Sequence, residues 1–202
     1  MKNKLVRYGA VLVGLNLVAL GATLFITASI GAEAITVFMQ GIMLITNTNF
    51  AFAIIVANAI PVSFLFILKR QDLLSFGSLA VLLIGPLIDF WLLTGVFNTP
   101  STFINQFGLA SIGILITSFG LALYIHANVG MAPFEALVVA LYQKFKTIKF
   151  FYIKIAFDVI FLTLGYLLGG VVGIGTVVSV LAFGPVINFY LYIMKKINLF
   201  AI

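Results

Sequence analysis

Apolar positions along the chain fall into six runs long enough to cross a bilayer: residues 8–29, 50–68, 75–97, 104–126, 150–169 and 172–194. Crossing the hydrocarbon core takes about 20 residues at about 1.5 Å rise each, so each run predicts a transmembrane helix. Segments 32–46 and 132–145 are also apolar but shorter, a length that suits re-entrant or interfacial helices. Polar punctuation separates the runs at Asn47-Thr48-Asn49, Lys69-Arg70-Gln71-Asp72, Asn98-Thr99-Pro100-Ser101 and Gly169-Gly170. None of these connectors is long enough for a soluble domain. The start, Met1-Lys2-Asn3-Lys4 followed by an apolar stretch reaching Ser29, exceeds the roughly 7–15 apolar residues of a secretory signal. It reads as a retained first helix.

Within this pattern lies an internal repeat. Gly9, Gly14, Gly21 and Gly31 precede Gly108, Gly113, Gly120 and Gly130 by 99 residues each. With glycine at only 18 of 202 positions, four successive matches at one offset are not expected by chance. The same offset maps Gly85-Pro86-Leu87-Ile88-Asp89-Phe90 onto Gly184-Pro185-Val186-Ile187-Asn188-Phe189, and a one-residue slip sets Asn58 opposite Asp158. The sequence predicts an all-α polytopic membrane protein of two tandem repeats, 1–98 and 99–202, each with three transmembrane helices and one short re-entrant helix. Three spans per repeat would insert the second upside down relative to the first. With the N-terminus in the cytoplasm, that arrangement puts all eleven Lys and Arg residues (Lys2, Lys4, Arg7, Lys69, Arg70, Lys144, Lys146, Lys149, Lys154, Lys195 and Lys196) on the cytoplasmic side, as positive-inside bias requires. If both short helices crossed instead, the halves would be parallel and Lys69 and Arg70 would face outward. The expectation is therefore six spans in inverted topology, with both termini cytoplasmic. Tyr8, Tyr142, Phe145, Phe150, Phe151 and Tyr152, beside the basic groups, fit an interfacial aromatic belt.

Composition agrees with this architecture. Hydrophobic residues make up 63% and charged residues 8%, with mean hydropathy +1.27, against roughly 25% charged in a soluble domain. So few charges cannot clothe a water-facing surface, and the bilayer is the expected partner. The net charge of +6 is dispersed in short groups between apolar runs, which argues for anionic lipid headgroups rather than nucleic acid. With no Cys and one His, thiolate and multi-histidine metal sites lack ligands, and no cofactor motif is present. There is no His-Glu-x-x-His or Gly-x-Ser-x-Gly pattern, so an enzyme is not expected.

Candidate chemistry lies with the few polar residues inside apolar runs. Asn58, Asp89, Asp158 and Asn188 fall within spans, and each half keeps one carboxylate and one amide at exchanged positions. Ionisable groups at membrane depth cost about 2.5–3.5 kcal/mol on insertion scales and point to function. The competing reading is an interhelical hydrogen-bond cluster that fixes packing. Glu33 and Glu135 open the two short helices, where they either cap the positive helix end or serve a proton or cation pathway. His126 ends the fourth span, as a proton shuttle or simply a wet helix-end residue. Gly31 and Gly130 suit sharp turns, Pro133 a first helical turn, and Gly173-Ile174-Gly175-Thr176 a turn into the last span rather than a phosphate loop. Gly9, Gly14, Gly21 and their counterparts predict a helix-packing seam.

The runs GLALYIHANVGMAPFEAL (120–137) and GIGTVVSVLAFGPVINF (173–189), with the basic N-terminus, resemble the YczE/YitT-like bacterial integral membrane proteins. A Gly-x-x-Pro-aromatic-acidic pattern is carried by Gly130, Pro133, Phe134 and Glu135, with Phe and Glu where such proteins often resemble Trp and Asp. The resemblance implies a multi-pass protein of a bacterial cytoplasmic membrane, and it implies no substrate or catalytic residues.

Two functions follow as expectations. One is a small-solute transporter or permease working between inverted repeats, its solute or ion passing Asp89, Asp158, Asn58 and Asn188, with Glu33, Glu135 and His126 along the path. The other is a non-transporting scaffold or regulator that docks a partner. Glycine-rich helix faces would permit a homodimer without demanding one.

Overall fold

The computed structural model describes residues 2–70, 74–145, 147–148 and 150–197. Gln71 and Asp72 of the connector and Lys146 and Lys149 of the charge argument lie outside the described residues, as do the side chains of Lys2, Phe150 and Phe151. The described chain is helical and contains no strand. Its helices are α1 (Lys2–Ala28), α2 (Ala34–Thr46), α3 (Phe50–Ile67), α4 (Phe76–Ala80), α5 (Ile84–Leu93), α6 (Phe103–Ala127), α7 (Pro133–Lys144), α8 (Phe150–Leu167) and α9 (Ile174–Lys196). Among the described residues, five segments are long and apolar enough to cross a membrane: Lys4–Ala28, Phe50–Ile67, Phe76–Leu93, Phe103–Ala127 and Ile174–Lys196. They are compatible with a membrane-embedded protein. The sixth expected span is helix α8, which carries two charges within its length.

Local chemistry explains several boundaries. Asn49 caps α3 by accepting from the Phe52 N–H at 3.0 Å, leaving fewer unpaired donors at the helix start. Between α4 and α5 runs a 3₁₀ turn, Val81–Leu83. Pro86 has no N–H to give the carbonyl four residues back, at Leu82, and its ring crowds that turn. Helix α9 continues through Pro185 without a comparable interruption. Pro133 opens α7, where a missing N–H costs nothing.

The centre of the molecule is the α1–α6 pair. A Cβ on Gly14 would lie 2.7 Å from the Gly120 carbonyl oxygen, and one on Gly21 would lie 2.6 Å from that of Gly113. Near the other end Arg7 donates to the Ala127 carbonyl at 3.3 Å. Residue numbers rise along α1 as they fall along α6, so the two helices are antiparallel. Absent side chains let the backbones touch, which is how helices associate in lipid, where apolar burial offers no driving force. Gly9 and Gly108 face open space instead. They lie outside the seam.

Around this pair the short helices cross over. Helix α2 packs on α8, with Phe38 edge-on to Phe161 at 5.0 Å, and α7 packs on α3, with Leu65 buried against Ala136, Leu137 and Ala140. Helices α1 and α5 pack together, as do α6 and α9. Unlike these matched contacts, α5 lies tight against α3, Gly85 meeting the Phe50 carbonyl and the Ile54 side chain, whereas α8 and α9 lack comparable packing and Gly184 faces open space. The sequence offers a reason: Lys154 stands where the first half has Ile54, and a lysine cannot bury against an apolar helix without a steep desolvation cost.

Candidate functional site

Two backbone turns place the site. Ser29 and Gly31 have φ of 57° and 109°, and Asn128 and Gly130 have 51° and 132°. Left-handed φ strains residues with a Cβ, and glycine relieves it at the wider angles. Each turn is tied to a helix start in the other part of the chain. The Gly175 N–H donates to the Ile30 carbonyl at 2.8 Å, and the Gly77 N–H to the Val129 carbonyl at 3.3 Å. Thr176 Oγ1 accepts from the Ala32 N–H at 3.2 Å, and Ser78 Oγ donates to the Met131 carbonyl at 2.5 Å.

These turns aim two helix beginnings inward. Glu33 is the N-cap residue of α2, makes no side-chain capping bond to the helix, and accepts from Thr36 Oγ1 at 3.3 Å. Glu135 lies in the first turn of α7. On α8, Lys154 Nζ and Asp158 form an ion pair at 2.8 Å, their side chains 51% and 28% exposed. All four groups lie within electrostatic range: Glu33 senses Lys154, Asp158 and Glu135, and Glu135 senses Lys154 and Asp158. Glu135 stands beside the protein interior with more than a third of its surface exposed. Burial pushes the Glu33 carboxyl up to about 6, against the opposing pull of Lys154 and the Thr36 hydroxyl. Burial likewise raises Glu135, against its own backbone N–H and Lys154.

Aromatic rings line the same helices. Phe134 meets Phe157 and Phe161 edge-on at 5.5 and 5.4 Å, and Phe161 also meets Phe38. Tyr124 is only 3% exposed, lies within range of Glu135, and its Oη has no hydrogen-bond partner among the described residues.

The other sequence-predicted residues are dispersed. Asp89 accepts from the backbone N–H groups of Phe50 (3.0 Å) and Ala51 (2.8 Å), serving as an external cap for α3. Asn58 is buried, donates to the Ile54 carbonyl at 2.9 Å, and borders a cavity of about 260 Å³ with Leu74, Ser75, Ser78 and Pro133. Asn188 is exposed on α9. His126 lies within electrostatic range of Lys195 and Arg7. The structure therefore brings Glu33, Glu135 and Asp158 together and adds Lys154, which sequence reasoning had counted only as a topology charge. The signal for it was present, because Lys154 and Asp158 are spaced i,i+4 and share a helix face. Tyr124 could have been noticed as the hydroxyl-bearing counterpart of Phe25, 99 residues earlier.

Residues 5–192 match DUF6198, a family of unknown function. The matched description carries neither the YczE nor the YitT name. An uncharacterized protein from Haemophilus influenzae is 28% identical over 187 residues, covering 92% of this chain and 84% of the relative. No solved structure matches.

Proposed function

This chain belongs to DUF6198, and within that family of unknown function we propose that it is a small-solute transporter built from two inverted repeats, 1–98 and 99–202. The observation that carries the reading is that Glu33, Glu135, Lys154 and Asp158, drawn from helices of both halves, lie within electrostatic range of one another. Each ionisable group at membrane depth costs about 2.5–3.5 kcal/mol, whereas interhelical polar bonds return only about 0.6 kcal/mol on average. Packing alone does not offset four such groups; a hydrated ligand path does.

The inverted arrangement is supported by the antiparallel α1–α6 seam and by paired contacts that interchange when 98–99 residues are added, such as Gly175–Ile30 with Gly77–Val129. Parallel halves would place α1 and α6 in the same direction. The protein then sits in a bacterial cytoplasmic membrane with both termini inside, and the halves rock about the seam to expose the path alternately. The tight α3–α5 contact and the open α8–α9 side are the closed and open gates of one such state. Asp89 holds the closed gate rather than lining the path.

Asp158→Cys tests this, since the chain has no other Cys. In sealed vesicles of both orientations, a membrane-impermeant thiol reagent is expected to reach it from either face. Labelling from one face only, or from neither, contradicts alternating access.

A further inference from the structure

We propose that the cavity between α3, α4 and the start of α7 binds a small apolar molecule carrying one hydroxyl group, which donates to the Asn58 amide oxygen. This goes beyond the transporter reading and does not rest on it.

The amide is the first argument. Asn58 is 9% exposed and lines the cavity of about 260 Å³. Its Nδ2 donates to the Ile54 carbonyl of its own helix, and among the described residues its oxygen accepts from no donor. Buried polar groups are nearly always satisfied, so a donor has a place here. The unpartnered polar atoms of Trp91, Ser118 and Tyr124 are sealed inside protein, whereas the Asn58 oxygen, equally unpartnered, keeps contact with open space. The cavity that Asn58 lines is that space. The two serines on the same wall are already engaged, the Ser75 and Ser78 hydroxyls donating to the Val129 and Met131 carbonyls.

The walls and the volume select the ligand. Val62, Leu74, Leu79, Leu82 and Pro133 give the cavity apolar sides. An ordered water needs about two to four polar partners, more than these sides offer, and the cavity is several times the roughly 30 Å³ share of one water. An apolar cavity of about 150 Å³ holds benzene, so this one has room for a ring with a short alkyl chain. A lipid acyl chain would fill the apolar sides but has no donor for the amide oxygen; a hydroxyl supplies it. Leu79 lines the cavity and is 70% exposed within the apolar segment Phe76–Leu93, which gives a molecule dissolved in the bilayer a way in.

The test uses the purified full chain in detergent with Val62→Cys as its one thiol, treated with methyl methanethiolsulfonate. Ile55→Cys, on the exposed side of α3, is the control for probe dissolved in the micelle. 4-Propylphenol at about ten times its half-protecting concentration is expected to slow reaction at Val62→Cys about tenfold by mass action, with no change at Ile55→Cys. Its methyl ether, with the same apolar body and no donor, is expected to need a severalfold higher concentration. No protection at Val62→Cys, equal protection at both positions, or equal potency of phenol and ether overturns the proposal. Asn58→Leu, close in size, is expected to make the two probes equipotent at Val62→Cys; a phenol still severalfold better overturns the role of Asn58. If Asn58→Leu fails to fold, the phenol and ether comparison with Asn58 in place decides alone.

Discussion

The Gly175 N–H donates to the Ile30 carbonyl at 2.8 Å, fastening the start of α9 to the turn that follows α1. Its counterpart joins Gly77 to Val129, fastening the start of α4 to the turn after α6. Both turns carry the left-handed backbone that redirects the chain into a short helix. The two contacts therefore set where α2 and α7 begin, and with them where Glu33 and Glu135 sit.

The α1–α6 seam depends on missing side chains. Gly21→Leu drives a side chain into the Gly113 carbonyl and Thr117, and overpacking costs typically about 1–3 kcal/mol. A clear fall in the thermal midpoint in detergent is expected, with Gly14→Leu behaving alike. Gly108→Leu, which meets open space, is expected to leave the midpoint unchanged; equal damage at Gly108 would refute the seam.

Asp89 acts through the backbone of another helix. Asp89→Ala leaves the Phe50 and Ala51 N–H groups without their carboxylate acceptor, at a cost of about 1–3 kcal/mol. Asp89→Asn, keeping one acceptor, is expected to fall between wild type and Ala in urea or thermal unfolding. Asn188→Ala, on the exposed counterpart, is expected to cost little. Comparable losses at 89 and 188 would contradict the capping role.

Glu33, in the connector between α1 and α2, holds its proton to about 6 against an ordinary 4.5. The unfolded chain releases that proton at lower pH than the folded protein. Its contribution to stability is therefore fully present below about 4.5 and is lost as pH rises through 6. The thermal midpoint is expected to decline across that window, and Glu33→Gln to remove this part of the slope. An unchanged slope in Glu33→Gln would assign the titration to another group.

Lys154 and Asp158 pair on one face of α8 at 2.8 Å. Because Lys154 is half exposed, Lys154→Gln is expected to shift stability by about 1 kcal/mol or less; a much larger fall in the thermal midpoint would contradict an exposed pair.

The helices were legible in the sequence because membrane spans are written in uninterrupted apolar length, and the predicted 50–68 and 104–126 runs lie close to Phe50–Ile67 and Phe103–Ala127. The proline-induced turn at Val81–Leu83 was not, since Pro185 at the matching place leaves α9 continuous. Glu33, Glu135 and Asp158 were visible as rare charges in apolar surroundings. Asp89 shared that signal but spends it on α3, a contact between residues 38–39 positions apart that no local pattern encodes. Lys154 was read only as a topology charge because positive-inside reasoning counts charges by connector and ignores which helix face they occupy. Gly9 and Gly108 share the glycine repeat with the seam residues, yet they face open space.

Side-specific labelling of single-cysteine variants in intact cells tests the inverted arrangement most directly. Inverted halves predict that Asn98→Cys and Thr48→Cys react with a membrane-impermeant thiol reagent while Gln71→Cys is protected until the cells are opened. Reaction at Gln71→Cys, with Asn98→Cys and Thr48→Cys protected, would mean that both short helices cross the membrane and the halves are parallel. That result would contradict the inverted repeats on which the transport mechanism depends.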